Sequence, residues 1–390
     1  AATPSVNIAV LISQLEPHPQ ERLRQQPRQP PLLQRLQPHN NKVDSLRQQT
    51  ELIKARAKSL GFSIVGITNA EPLQHHDRYM EWINKKHHAG MNYLTSKYHI
   101  ETRRDPHLFL PSVKSIIIVG FPYPLHPTDL LTASPVGLIG SYTTGEDYHS
   151  RLPRLLDEFM QTLRSDFKHE ITYRICTDSA PILERELACR AGLGWIGKNS
   201  FLISPRIGST FLIAEILLDT ELEIDHPDSK DRCGKCDRCI QACPTGCIHP
   251  DRTIDANRCI SYHTIENRGE VPPEIMQEFG NWIFGCDICQ MVCPWNKKFS
   301  ARTDQTNNDL VVSTEQMTEM LSMSEEIFQH QFGKTALSRT KRNGLLRNLL
   351  IRLGNLADPG NIPIIHKIIE STSDPTLLYT AHWAINQISK

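Results

Sequence analysis

Apolar residues first recur at helical spacing from residue 46, where Leu46, Ile53, Ala57 and Leu60 share a face and Gly61 stands at a helix stop. Phe62 to Thr68 (FSIVGIT) then reads as a strand. The run SIIIVG at residues 115–120 reads as a buried strand that ends in a Pro-rich loop, FPYPLHP. Leu152, Leu155, Leu156, Phe159 and Leu163 predict an amphipathic helix from about Arg151 to Phe167. Ile171 to Cys176 is strand-like and Pro181 to Ala191 helical. Phe201–Ser204 and Thr210–Leu218 flank Pro205-Arg206-Ile207-Gly208 and predict a hairpin. Together these elements make residues 44–222 a mixed α/β domain. A cysteine-rich segment occupies residues 223–305. Beyond it, Leu345, Leu346, Leu349, Leu350, Leu353 and Leu356 recur at threes and fours. Two further helical patterns, Ile362 to Ile369 and Pro375 to Ile388, follow Asp-Pro breaks. Residues 306–390 are therefore expected to form a short helical end of HEAT-like repeats.

The polar positions change the picture at the N-terminus. Pro17 to Asn41 (PHPQERLRQQPRQPPLLQRLQPHNN) has little apolar periodicity and cannot bury enough surface to offset its ordering entropy. Residues 1–43 are thus expected to be a disordered, solvated tail rather than an RNA-binding arm. Lys+Arg and Asp+Glu both number 43, so no overall charge draws the chain to nucleic acid or membrane, and any such partner needs a local patch. No stretch approaches the roughly 20 apolar residues of a membrane span. Ala1 to Ser13 lacks the basic start of a signal peptide.

Nine of the eleven cysteines fall between Cys233 and Cys293, a clustering that favours metal ligation in a reducing compartment, with the cytoplasm as the expected location. Cys233, Cys236, Cys239 and Cys243-Pro244 form C-x2-C-x2-C-x3-C-P, the bacterial ferredoxin run, whose fourth cysteine reaches to a second cluster. Cys286, Cys289 and Cys293-Pro294 form a second arm, and Cys259 lies between. Crossing the arms assigns Cys233, Cys236, Cys239 and Cys293 to one 4Fe-4S cluster, and Cys243, Cys259, Cys286 and Cys289 to the other. Zinc also uses C-x2-C pairs, but it gives no reason for the triple run or for Pro after each last cysteine. Cys247, Cys176 and Cys189 stay outside the ligand set as packing thiols.

Clusters conduct electrons but do not transform a substrate, so the α/β domain should hold the reacting centre. It has no G-x-G-x-x-G after a strand, no G-x-x-x-x-G-K-[ST] and no H-E-x-x-H. Asp147-Tyr-His149-Ser-Arg-Leu152 matches only part of the corrinoid D-x-H-x-x-G. Spacing alone leaves the cofactor unnamed.

The segments Ser141-Tyr-Thr-Thr-Gly145-Glu-Asp147-Tyr148-His149, Thr177-Asp178-Ser-Ala-Pro181-Ile-Leu-Glu184-Arg185 and Ala191-Gly-Leu-Gly-Trp195-Ile-Gly-Lys198-Asn199 resemble the epoxyqueuosine reductase family. So do Cys259-Ile-Ser261-Tyr-His-Thr-Ile265-Glu266 and Gly285-Cys-Asp287-Ile-Cys-Gln290-Met-Val-Cys-Pro294, and the likeness runs from about residue 44 to the C-terminus. The resemblance implies an oxidoreductase that completes queuosine synthesis by reducing epoxyqueuosine at the tRNA wobble position. It further implies base-off cobalamin in a reductive-dehalogenase-like domain, two 4Fe-4S clusters, and a ferredoxin or flavodoxin as electron donor. Asp178, at the end of TYRICTD, becomes the proton donor to the opening epoxide, a carboxyl kept protonated by its site. Residues alone favour a helix N-cap, and the resemblance is what turns the reading to catalysis. Arg104, Tyr142, Asp178, Lys198, Asn199, Leu202, Ser204, Ser261 and Asp287 are candidates to line the corrin. Trp195 is a candidate to stack on a ligand or to fill a core.

From Ile327 to Ala357 the chain carries six cations (Lys334, Arg339, Lys341, Arg342, Arg347 and Arg352) and no Asp or Glu. With the resemblance, Arg339, Lys341, Arg342 and Arg347 are expected to contact the anticodon stem-loop of tRNA. Other readings are a small-molecule cobalamin-dependent reductase of the dehalogenase type and a ferredoxin-like electron carrier.

Overall fold

The computed structural model of the chain describes residues 42–131, 136–167, 170–228, 230–300 and 310–390. The tail expected over 1–43 lies outside the described residues up to residue 41; Lys42 and Val43 already belong to the first helix. In chain order, the elements that position the site are α1 (Lys42–Ser59), β1 (Ile64–Asn69), β2 (Ser115–Pro122), β3 (Val136–Ile139), α2 (Tyr148–Leu163), β4 (Tyr173–Cys176) and α3 (Glu184–Arg190). They continue with β5 (Trp195–Ile196), β6 (Leu202–Ile203), β7 (Phe211–Leu218), α4 (Ile260–Ile265), β8 (Trp282–Phe284), β9 (Val311–Ser313), α5 (Lys341–Leu356), α6 (Ile362–Ser371) and α7 (Pro375–Ile388).

The N-terminal half is built on an antiparallel sheet ordered β1-β2-β7-β4. Alternate side chains divide between two cores, as strand geometry demands. Ile117, Val119, Ala214, Ile216 and Leu218 pack beneath α1 and α2 with Ile53, Leu152, Leu156 and Phe159. Ile116, Ile118, Phe211 and Leu217 face Leu187 and Ala188 of α3 on the other side. Both faces are covered, which is why residues 115–120 are almost uniformly apolar. The expected hairpin does not form. β6 pairs back with β5, while β7 joins the central sheet between β2 and β4. Gly208, at φ +74°, closes the turn that Ser204 bridges, so the two apolar runs part into different sheets.

The second core is organised differently. β3 leaves the N-terminal half, pairs parallel with β8 and antiparallel with β9, and thus sits between two strands made much later in the chain. Leu138 and Ile139 share a continuous core with Ile260, Phe279, Trp282, Phe284, Leu310, Phe328, Leu346, Leu350 and Ala381. The predicted C-terminal helices are present as α5, α6 and α7, with α7 packed on both α5 and α6. They share their core with the segment that carries Cys286 and Cys289. Among the described residues, no helix is long and apolar enough to cross a membrane.

Candidate functional site

The thiols separate by proximity into the two crossed sets. Cys239 lies within electrostatic reach of Cys233 and Cys293, and Cys293 within reach of Cys233 and Cys236. Cys286 meets Cys259 and Cys243; Cys289 meets Cys286 and Cys259. Cys239 also reaches Cys289, so the two sets adjoin. None of the cysteines is in a disulfide. Cys247 also lies in the second group, between Cys243 and Cys259, so each group offers at least the four free thiols that a cubane needs. The Trp195 indole donates to Cys233 Sγ at 3.4 Å and meets Trp295 edge-on at 5.0 Å, so this tryptophan walls the first set. Cys247 is buried, with its Sγ 3.4 Å from that of Cys243. Reconstituted protein should therefore hold about eight iron atoms per chain. Cys239→Ser should lower that count and Cys247→Ser leave it intact; stoichiometric zinc in place of iron would refute the assignment.

Beside the second set opens a cavity of about 360 Å³. Phe211, Leu212 and Ile213 of β7 and Leu202 of β6 give it an apolar side; Tyr123, Tyr142, Tyr148, Ser261 and Gln290 contribute polar groups. Asp178 and Glu184 border it, as do Cys286 and Asp287. Of the expected corrin-lining residues, Tyr142, Asp178, Asn199, Leu202, Ser261 and Asp287 line this cavity. Asn199 is 1% exposed and its Nδ2 has no hydrogen-bond partner among the described residues, an orphaned donor of the kind a bound group satisfies. Asp287 is buried and accepts from the Ser141 N–H at 2.6 Å; burial raises its carboxyl above the usual range.

Three expected residues lie elsewhere. Lys198 Nζ donates to the Gly234 carbonyl at 2.9 Å, in the first cysteine arm. Ser204 belongs to the Gly208 turn, where its hydroxyl accepts from Arg206 N. Arg104 ends the helix Lys97–Arg104 with an exposed side chain. The glycines of GLGWIGKN serve packing: a Cβ on Gly194 would meet the Ile203 carbonyl at 2.1 Å, and one on Gly197 the Ile203 side chain at 2.5 Å.

Asp178 sits just beyond β4 with φ +50°, and Ser200, on the same cavity, has φ +62°. Non-glycine residues in the left-handed region are uncommon and gather where surrounding structure over-determines them. Here Ser179 N reaches back to the Thr177 carbonyl at 2.5 Å, and the Glu184 carboxylate accepts the Asp178 N–H at 2.7 Å. The N-cap alternative fails, because α3 starts at Glu184 behind Leu183, five residues past Asp178. The Asp178 carboxylate faces side chains instead. Tyr148 O–H donates to Oδ2 at 2.8 Å, His149 Nε2 stands 3.0 Å from it and Arg339 Nη1 3.7 Å. His149 Nδ1 is 2.8 Å from Asp147 Oδ1, and Arg339 also pairs with Glu266 at 2.5 Å. Two cations are thus flanked by three carboxylates.

The expectation of a protonated Asp178 is corrected by this arrangement. Burial pushes its carboxyl up, but hydrogen bonds from His149 and Tyr148 and the charges of His149 and Arg339 prevail and hold it below the ordinary value. Burial likewise pulls His149 down, yet hydrogen bonds and charge from Asp147 and Asp178 raise it to about 9. At neutral pH the proton rests on the imidazole. His149 stands in the incomplete D-x-H motif and was the available signal; Tyr148 adjoins it, whereas Arg339 comes from the far end of the chain. Arg339 therefore reaches this site, with its side chain still partly exposed. Arg347 is a second correction. It is 1% exposed and donates to the carbonyls of Asn267 at 2.8 Å and Gly269 at 2.9 Å, which removes it from any RNA-facing surface. Lys341 is exposed, and Arg342 is half-buried with Nε on the Met323 carbonyl at 2.6 Å.

Comparison with known proteins accords with this geometry. A 4Fe-4S double cluster binding domain family matches residues 232–296, and the epoxyqueuosine reductase QueG, DUF1730 family matches residues 103–179. The Cyclobacterium marinum epoxyqueuosine reductase is 38% identical over 312 residues, 79% of this chain and 97% of its own length. The Escherichia coli K12 enzyme is 35% identical over 350 residues, 88% and 90% of the two chains. A crystal structure of epoxyqueuosine reductase with an epoxyqueuosine-modified tRNA-Tyr stem loop superimposes with TM-score 0.79 at 29% identity, covering 88% of this chain and 91% of that one.

Proposed function

The chain belongs to the epoxyqueuosine reductase family, and on that footing we propose how its residues reduce epoxyqueuosine to queuosine in tRNA. The observation that carries the proposal is a single cavity bordered by both Asp178 and Cys286, so that electron supply and proton supply meet in one space. A small-molecule reductase is set aside, since relatives matched over nearly their whole length are epoxyqueuosine reductases.

The lining of the cavity suits cobalamin. Its apolar side suits a flat ring, and the orphaned Asn199 amide suits the ring's own amide side chains. When bound, cobalamin supplies a low-valent metal able to take up electrons and open the epoxide. Tyr142, Asn199, Leu202, Ser261 and Asp287 would hold it. Cys243, Cys259, Cys286 and Cys289 would ligate the cluster nearer the cavity, fed through the Cys233 set by a ferredoxin or flavodoxin. His149 holds a proton on Nε2 against Asp178 Oδ2, and Asp178 passes it to the epoxide oxygen as the ring opens. Tyr148 and the Arg339 charge fix the carboxylate while Asp147 fixes the imidazole. Residues 44–222 would form the corrin domain, 223–305 the cluster domain and 306–390 a HEAT-like helical end, with the enzyme working in the cytoplasm on an anticodon stem-loop. A flipped-out base would reach the cavity, as enzymes acting on single bases require.

Mass spectrometry of nucleosides from epoxyqueuosine-containing tRNA, incubated with protein and reductant, tests the reading. Queuosine should appear; unchanged epoxyqueuosine with fully loaded protein would refute it. The RNA surface has its own test. Lys341→Ala with Arg342→Ala should weaken tRNA binding and flatten its salt dependence, the slope falling by up to about 1 for each phosphate no longer neutralised, with iron content unchanged. An unchanged slope would place the tRNA elsewhere.

A further inference from the structure

Reducing an epoxide to an alkene breaks two C–O bonds, forms one C=C bond and releases the oxygen as water. The balance is two electrons and two protons. The electrons enter singly through the clusters from an external one-electron donor, and the His149–Asp178 pair accounts for one proton. The second needs a source inside a cavity from which catalysis excludes bulk water.

Behind Asp178 lies a carboxyl that no other interaction explains. Glu215 is on β7, opposite Cys176 of β4, and is fully buried at 0% exposure. Its strand neighbours two residues away, Ile213 and Leu217, belong to the apolar cluster beneath α3, so Glu215 points into that cluster. Among the described residues, neither carboxyl oxygen has a hydrogen-bond partner. An ionised carboxylate without a partner at such a site is strongly disfavoured, so the group carries its proton. Glu184, at the first turn of α3, the helix that packs over this face of β7, is near enough for its charge to act on Glu215. Glu184 borders the cavity and accepts the Asp178 N–H.

We propose that Glu215 and Glu184 store and relay the second proton of the reduction, with Glu184 delivering it beside Asp178 and Glu215 recharging Glu184 from behind through a bridging water, since the two carboxyls are not in direct hydrogen-bond contact. Glu184 is the catalytic member, since it faces the reacting space; Glu215 is a positioning residue that acts through it. The surroundings support the assignment. Burial and then the Asp178 charge raise the Glu184 carboxyl to about 8, against the lowering effect of the Asp178 N–H, Arg185 and Arg103. Burial, Glu184 and Asp178 raise Glu215 well above the carboxylate range. Cys176, facing Glu215 across the strands, is pushed up by burial, so it remains a neutral thiol that does not compete for the proton. Between turnovers the pair recharges from solvent through the open cavity.

The proposal rests on the reductase reading, and its test separates the two. Parent-minus-variant infrared spectra of the cluster-loaded protein at pH 7, without tRNA, should show the C=O band of a carboxylic acid that Glu215→Gln removes. That measurement is independent of turnover. In kinetics with saturating reductant, Glu215→Gln should keep iron, cobalamin and tRNA affinity but slow turnover roughly 10²-fold. The basic limb of its pH profile should move to lower pH, because the proton must then come from solvent. If that variant does not fold, Glu184→Gln interrupts the same path at the cavity and should give the same slowing and the same shift. Absence of the acid band, or a parental pH profile in the folded variant, overturns the relay. A parent that makes no queuosine but shows the band refutes the reductase reading alone.

Discussion

Asp178→Asn should keep both clusters, cobalamin and tRNA affinity while losing turnover by about 10²- to 10⁴-fold. The amide is nearly isosteric and can still accept from Tyr148 through its oxygen. It cannot take up the imidazole proton and hand it to the epoxide oxygen. The pH profile carries a second signature. In the parent, the proton on Glu184 is lost as pH rises through about 8 and that on His149 as it rises through about 9, so the rate should begin to fall near 8 and be lost beyond 9. The substitution removes one of the two carboxylates that raise His149 and leaves only Asp147. The imidazole value must therefore come down, and the residual activity should lose its basic limb at lower pH. Parental turnover in Asp178→Asn at saturating reductant would remove this carboxylate from the mechanism.

Arg347→Met should cost about 3–5 kcal/mol of stability, read as a fall of several degrees in the thermal midpoint of apo protein. The guanidinium lies with 1% exposure among carbonyls, bonded to those of Asn267 and Gly269 and, through Nη2, to that of His263. It also reaches Asn348 Oδ1 at 3.0 Å, and Asn348 Nδ2 in turn donates to the Thr264 carbonyl at 2.8 Å and the Ile283 carbonyl at 2.9 Å. Methionine fills the stem's volume but leaves those acceptors buried without a donor. The carbonyls belong to α4 and the turn after it, one helix from Cys259, so cluster retention should suffer as well. Lys341→Met, on the exposed side of α5, should change the midpoint little. A midpoint shift for Arg347→Met as small as that of Lys341→Met would show that water replaces the missing donors.

These outcomes bear on what the sequence made legible. The double-cluster segment was readable because cubane coordination is written in short local spacings, whereas the proposed crossing of Cys293 to the first set, and of Cys243 and Cys259 to the second, depends on long-range placement. The reaction site was not local in this sense. His149 lies 29 residues from Asp178, and Arg339 lies 190 from His149. Nothing in periodicity brings three such elements together. The protonation state of Asp178 was unreadable for the same reason, since it is set by neighbours from α2 and from the turn before α5. Arg347 and Arg352 looked like surface cations because no acid stood near them in sequence. The contrary signal was available in α5, where Leu345, Leu346, Leu349, Leu350 and Leu353 occupy too much of the circumference for a surface helix. Both arginines are buried, with Arg352 Nε on the Val136 carbonyl of β3 at 2.7 Å.

That interaction belongs to the placement of β3 between β8 and β9, which bears on how the chain is made. During synthesis Val136–Ile139 emerges long before Trp282–Phe284 and Val311–Ser313, its strand partners in that sheet. At roughly 5–20 residues per second, the interval is on the order of ten seconds. The first cysteine arm emerges late in that interval, and the core that closes over the second arm does not exist until β9 and α5 have followed. The nascent chain thus offers a period in which assembly factors can reach both sets of thiols. Once α5 docks its arginines onto β3 and α4, that access ends. A chain truncated before residue 341 would never close, and should be recovered as a protease-sensitive form with its clusters open to oxygen.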